Sequence, residues 1–182
     1  MTPAPTIARG PDVAIGVSRA DTDEPLFSDF LQRLRIRLSP RRDYTFDVWD
    51  SSLLPIGVRG GWRREVLREL DKRPYSMPLL SYEYLASDFI KTEEWPRAAR
   101  AIMFPVGLGT IDLDPDVLSP PVAIEQIFTF NHKFFDHMRG NQAKNDFVNA
   151  FVKAMIDRLK REVRPTLVST PSPARPTCPQ PA

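Results

Sequence analysis

Glu93 and Glu94 close the run Ser81-Tyr82-Glu83-Tyr84-Leu85-Ala86-Ser87-Asp88-Phe89-Ile90-Lys91-Thr92-Glu93-Glu94. The run follows an apolar segment, Tyr75 to Ser81, that reads as a strand. A carboxylate just past the carboxyl end of a strand stands where open α/β sheets keep their ligand chemistry. There it can hold hydroxyls or stabilise a positive charge as it develops. A lone glutamate on a helix is also the commonest kind of solvated acid, so residue type alone leaves both readings open. Of the two acids, Glu93 is the candidate, because it follows the aromatic Phe89 by four residues and shares its helical face. Glu94 is the rival and would face about 100° away.

Other chemistries find little support. His132 and His137 are five residues apart, off the spacing that puts two ligands on one helix face, so no metal site is expected. Ser18 and Ser81 have no histidine at a recognisable triad spacing. No Gly-rich phosphate fingerprint is present, which argues against a hydride-transfer dinucleotide site. The net charge is +2, with 25 basic residues spread among 23 acidic ones, so neither nucleic acid nor an anionic membrane is an expected partner. No apolar run approaches the about 18 residues that span a bilayer, and the start lacks a signal-peptide pattern. Cys178 is the single cysteine, so there is no disulfide framework. A cytoplasmic location is the expectation.

These residues need a frame. Residues 1–11 read as a flexible arm, and 164–182, rich in proline, as a disordered tail or linker. Between them, 12–163 form one domain. Val13 to Val17, Tyr44 to Trp49, Tyr75 to Ser81, Ala101 to Val106 and Gln126 to Phe130 read as five strands. Pro78 is placed at the first turn of the third, because proline removes a ladder donor, and Pro105 puts the fourth near an edge or ends it early. Helices are expected over Phe27 to Leu38, Trp62 to Leu70, Tyr84 to Glu94 (cut off by Pro96) and Phe147 to Leu159. Apolar strands alternating with helices predict an α/β, flavodoxin-like doubly wound fold, with a mainly parallel five-stranded sheet and helices on both faces.

Three stretches, in order, carry a resemblance. They are Ala14-Ile15-Gly16-Val17-Ser18-Arg19-Ala20-Asp21; Val48-Trp49-Asp50 with Leu54-Pro55-Ile56-Gly57 and Trp62; and Leu79-Leu80-Ser81 with Tyr84-Leu85-Ala86-Ser87-Asp88-Phe89 and Glu93. Together, over about Val13 to Leu159, the chain resembles a bacterial Toll/interleukin-1 receptor (TIR) domain. Gly16-Val17 stands where that family usually has a Ser-Tyr pair.

The resemblance implies an enzyme that cleaves NAD+, with Glu93 as the essential glutamate. It implies that Ser18, Arg19, Phe89, Pro55 and Gly57 border the substrate. NAD+ would be a substrate and no cofactor would be needed. The products would be nicotinamide and ADP-ribose or a cyclic derivative. The chemistry tolerates a single acid. Nicotinamide leaves as a neutral base, so the second carboxyl that ordinary glycosidases use to protonate a leaving oxygen is unnecessary. The family also implies an assembly-activated antiviral or signalling effector, self-associating through TIR–TIR contacts, with a possible sensor domain or partner protein. The competing expectation is a non-enzymatic adaptor that uses the same surfaces only for docking. A third is a small-ligand receptor that binds nucleotide without turning it over.

Overall fold

A computed structural model describes residues 10–55, 61–111 and 127–163. The expected tail over 164–182, nearly all of the expected arm over 1–11, and Ile56, Gly57 and Gln126 lie outside the described residues. Among these residues no helix is long and apolar enough to cross a membrane.

The fold is α/β and flavodoxin-like, with a five-stranded parallel sheet. Strand β1 (Asp12–Ser18) is followed by α1 (Glu24–Leu38), β2 (Thr45–Trp49), α2 (Trp62–Asp71) and β3 (Tyr75–Leu80). Next come α3 (Tyr82–Ala86), a π-helical turn (Ile90–Glu94), α4 (Trp95–Ala98), β4 (Ile102–Met103), β5 (Val106–Gly107) and α5 (Gly140–Val163). The sheet order is β2-β1-β3-β4, with β5 also on β3 and every pair parallel. The chain moves from β1 to one side and then, with β3, to the other. The crevice between the carboxyl ends of β1 and β3 is therefore the topological switch point.

Period-2 alternation assigns the faces. Val13, Ile15 and Val17 of β1, with Met77 and Leu79 of β3, enter one core with Phe30 and Leu34 of α1 and Phe147, Phe151 and Leu159 of α5. Phe30 meets the Phe135 ring edge-on at 5.3 Å and the Phe147 ring at 6.4 Å. Such pairs add roughly 0.5–1.5 kcal/mol each to the burial itself. The opposite face of β1 carries Gly16 and Ser18. A Cβ at Gly16 would come within 2.7 Å of Leu70 Cδ2 of α2. The glycine that departs from the family's serine is thus where α2 crosses the sheet closely. We expect Gly16→Ala to lower stability by about 1 kcal/mol, because the contact is with a side-chain tip that can shift; a denaturant titration reads this directly.

Two expectations change. Pro78 is not in the first turn of β3 but deep in this central strand, paired with Ser18 of β1. The register Ser76 to Met103 and Leu79 to Val106 puts Pro78 opposite Pro105. Phe104 still donates to Ser76 O at 2.8 Å and Leu108 to Leu80 O at 2.9 Å. The missing proline donor therefore interrupts the ladder at one rung, which divides the expected fourth strand into β4 and β5. The fifth expected strand is reduced, among the described residues, to a parallel bridge between Phe128 and Val106.

Candidate active site

Ser18, the last residue of β1, brings a buried hydroxyl to the switch point. Ser81, just past β3, caps α3: its Oγ accepts from Tyr84 N at 3.0 Å and donates to Asp23. The cap turns Tyr84 inward, where its ring is fully buried against Trp95. Removing this hydroxyl takes away a helix cap and the partner of a half-buried carboxylate. We expect Ser81→Ala to cost about 1–2 kcal/mol in a chemical denaturation.

The third contributor is Glu94. Only 4 % of it is exposed. Ser18 Oγ donates a short hydrogen bond to Glu94 Oε2 and lies 3.1 Å from Tyr84 Oη. A serine hydroxyl has one proton, so with that proton on Glu94 the tyrosine must donate to Ser18. The result is a directed chain from Tyr84 through Ser18 to the carboxylate. Among the described residues, Glu94 Oε1 makes no hydrogen bond.

Burial pushes the Glu94 carboxyl up to about 7; the Ser18 hydroxyl opposes the rise and the charge of Asp21 adds to it. Burial also raises the Tyr84 phenol, with help from Glu94. Asp23 is raised too, by burial first, against the hydrogen bond from Ser81. An acid poised near neutrality at a switch point is a functional-site candidate.

Glu93 points elsewhere. Its side chain is 49 % exposed and pairs with Arg97, whose Nη1 is 3.4 Å from Oε2 and also donates to the Glu93 carbonyl at 2.6 Å. The reason is local. Between Phe89 and Trp95 the helix widens into a π turn, with Trp95 N–H bonded to Ile90 O, five residues back. Within this turn the buried side chains are Ile90 and Glu94, four apart and on one face, while Phe89 is only half-buried, so the inward acid is the one that follows Ile90. The helix is not cut off by Pro96 either. Pro96 lies within the first two positions of α4. In a regular helix its ring would strike the carbonyl four residues earlier, on Thr92. Widening the turn relieves that clash. The signal in the sequence that could have pointed to Glu94 is its position four residues after the apolar Ile90.

The remaining predicted residues divide. Ser18 joins the cluster. Arg19 does not: its guanidinium stacks over Phe27 at 4.3 Å and pairs with Glu24 at 2.7 Å, at the start of α1. Among the described residues its Nε is buried without a partner. Phe89 is half-buried beside the Trp62 ring, 6.2 Å away, and beneath the Arg63 guanidinium. Pro55 is exposed on the loop leading to Gly61, whose φ of 90° starts α2. Trp62, 41 % exposed, is the first residue of α2 and the one that stands beside Phe89.

No protein-family model matches the chain, and no curated protein matches it at a significant level.

Proposed function

We propose that the protein is a TIR-type NAD+ glycohydrolase in which Glu94 is the catalytic acid residue, acting as its carboxylate. The observation that carries this reading is a buried carboxyl between the ends of β1 and β3, held from one side by Ser18, with no hydrogen bond to its other oxygen among the described residues. In the reaction the bond between ribose C1′ and the nicotinamide nitrogen breaks. Its electron pair goes to the nitrogen and neutralises the pyridinium. Positive charge then grows on C1′ and the ring oxygen. Water supplies the new oxygen at C1′ and loses one proton to solvent.

A desolvated carboxylate stabilises that charge far more than one in bulk water would. Glu94 Oε1 is suited to a ribose hydroxyl, while Ser18 and Tyr84 fix Oε2. The exposed Trp62 ring, beside Phe89, offers an aromatic face on which nicotinamide could stack. Cyclisation would follow if a base nitrogen of the same molecule replaced water at C1′. In this reading the enzyme is a defence or signalling effector activated by assembly.

One observation favours the non-enzymatic adaptor instead. Arg19, expected to border the substrate, is committed to Glu24. Nicotinamide release from NAD+ by concentrated or crowded protein decides between the two. Release supports the enzyme; none, under conditions where the protein assembles, supports the adaptor.

A further inference from the structure

A groove of about 520 Å³ lies at the other end of the sheet, between the end of α1 and the start of β2. Its floor is apolar, formed chiefly by Tyr44, Phe46 and Val48, and its rim carries Arg35, Arg41 and Arg42. The Tyr44 and Phe46 rings are 5.8 Å apart and tilted by 50°. Among the described residues no acidic side chain lines it.

The local fold explains the placement. Ser39 N bonds back to Arg35 O and Arg41 N to Leu38 O, so the chain turns tightly after α1 and projects Arg41 and Arg42 beside the first residues of β2. Arg35 is held by Asp50 at 2.7 Å. Arg41 and Arg42 are exposed and make no ion pair among the described residues. Basic residues at the end of a helix ordinarily answer its negative pole. Here Arg35 and Arg37 already occupy the last turn, so Arg41 and Arg42 are surplus to that role.

We infer that this groove binds a nucleoside diphosphate, at a site separate from the Glu94 crevice. Two unpaired guanidinium forks suit a diphosphate, which they can grip bidentately. The tilted aromatic pair suits a planar base. The volume falls in the range of small-molecule sites, roughly 300–1,000 Å³. The groove runs beside β2 from Tyr44 to Val48, and Val48 pairs with Ile15, three residues before Ser18; its Arg41 and Arg42 rim lies by the start of β1, roughly 20 Å from Ser18 at the rise of a strand. A ligand here would bind without touching Glu94. The site stands whether or not the protein cleaves NAD+.

The test is calorimetric titration of the full chain with ADP, repeated on Glu94→Gln and on the double variant Arg41→Glu/Arg42→Glu. We expect ADP to bind wild type and Glu94→Gln equally, and the double variant at least about tenfold more weakly, since each lost charge-assisted contact carries that order of affinity. Inorganic pyrophosphate alone should bind more weakly than ADP. Both replaced arginines are exposed, so the variant should fold, and its circular dichroism spectrum checks this. ADP that fails to bind either wild type or Glu94→Gln overturns the proposal. So does ADP binding undiminished in the double variant, or pyrophosphate binding as tightly as ADP, which would reduce the groove to a bare anion site.

Discussion

Glu94→Gln will cut nicotinamide release by about 1,000-fold or more, whereas Glu93→Gln will keep most of it; the loss follows from removing the preorganised charge that faces the oxocarbenium. The two substitutions are chemically identical and adjacent, which makes the pair a sharp comparison. Glutamine at 94 keeps the volume and can still accept the Ser18 proton, so the site's shape survives while its charge does not. At 93 the change removes one exposed pair with Arg97. Such a contact is worth little and lies outside the crevice. The reverse result, Glu93→Gln inactive and Glu94→Gln active, would sink the assignment of Glu94. Equal activity of both with wild type would remove either acid from the chemistry. A KM unchanged in Glu94→Gln, with kcat reduced, would place the lost interaction in the transition state rather than in binding.

The sequence made the sheet legible because its strands are continuous apolar runs, the pattern of a sheet covered on both faces. The closing helix was readable from Phe147 to Leu159 by its spacing alone. Two kinds of feature were not. The first is tolerance set by the register: Pro78 can occupy a central strand because only one rung is lost while Phe104 N–H to Ser76 O and Leu108 N–H to Leu80 O are kept on either side, which is known only once the register is known. The second is which residue of a short helical segment faces inward. Counting four from Phe89 selects Glu93, but Phe89 is only half-buried, and counting four from the buried Ile90 selects Glu94. Arg19 illustrates a related limit. Its position at the end of β1 was foreseen, but its side chain had two directions open and took the one with an aromatic ring and an acid at the head of α1.

The buried Glu94 also ties stability to pH, in the direction opposite to activity. In the unfolded chain its carboxyl titrates near the ordinary 4.5, and in the folded chain near about 7. Between those values the folded state holds a proton that the unfolded state has lost, so folding stability falls as pH rises through this window. Below 4.5 both states are protonated and the full stability is present; above about 7 both are ionised and the loss is complete. A difference of about 2.5 units corresponds to about 3 kcal/mol, and for a domain of this size that is a shift on the order of 10 °C in melting temperature. Asp29 and Glu69, both held below their usual range by lysine and arginine partners, act oppositely but at lower pH. Comparing wild type with Glu94→Gln cancels them. The wild type should lose melting temperature between pH 5 and 8 relative to the variant, whose glutamine does not titrate. Any fixed cost of the buried amide moves the whole variant curve and leaves this difference in slope intact. Over the same interval kcat/KM for NAD+ should rise about tenfold per pH unit and level off near 7, because only the ionised carboxylate stabilises the developing cation. Parallel stability curves for the two proteins would show that Glu94 is not a buried acid of raised affinity for protons, and the crevice would lose its candidate charge.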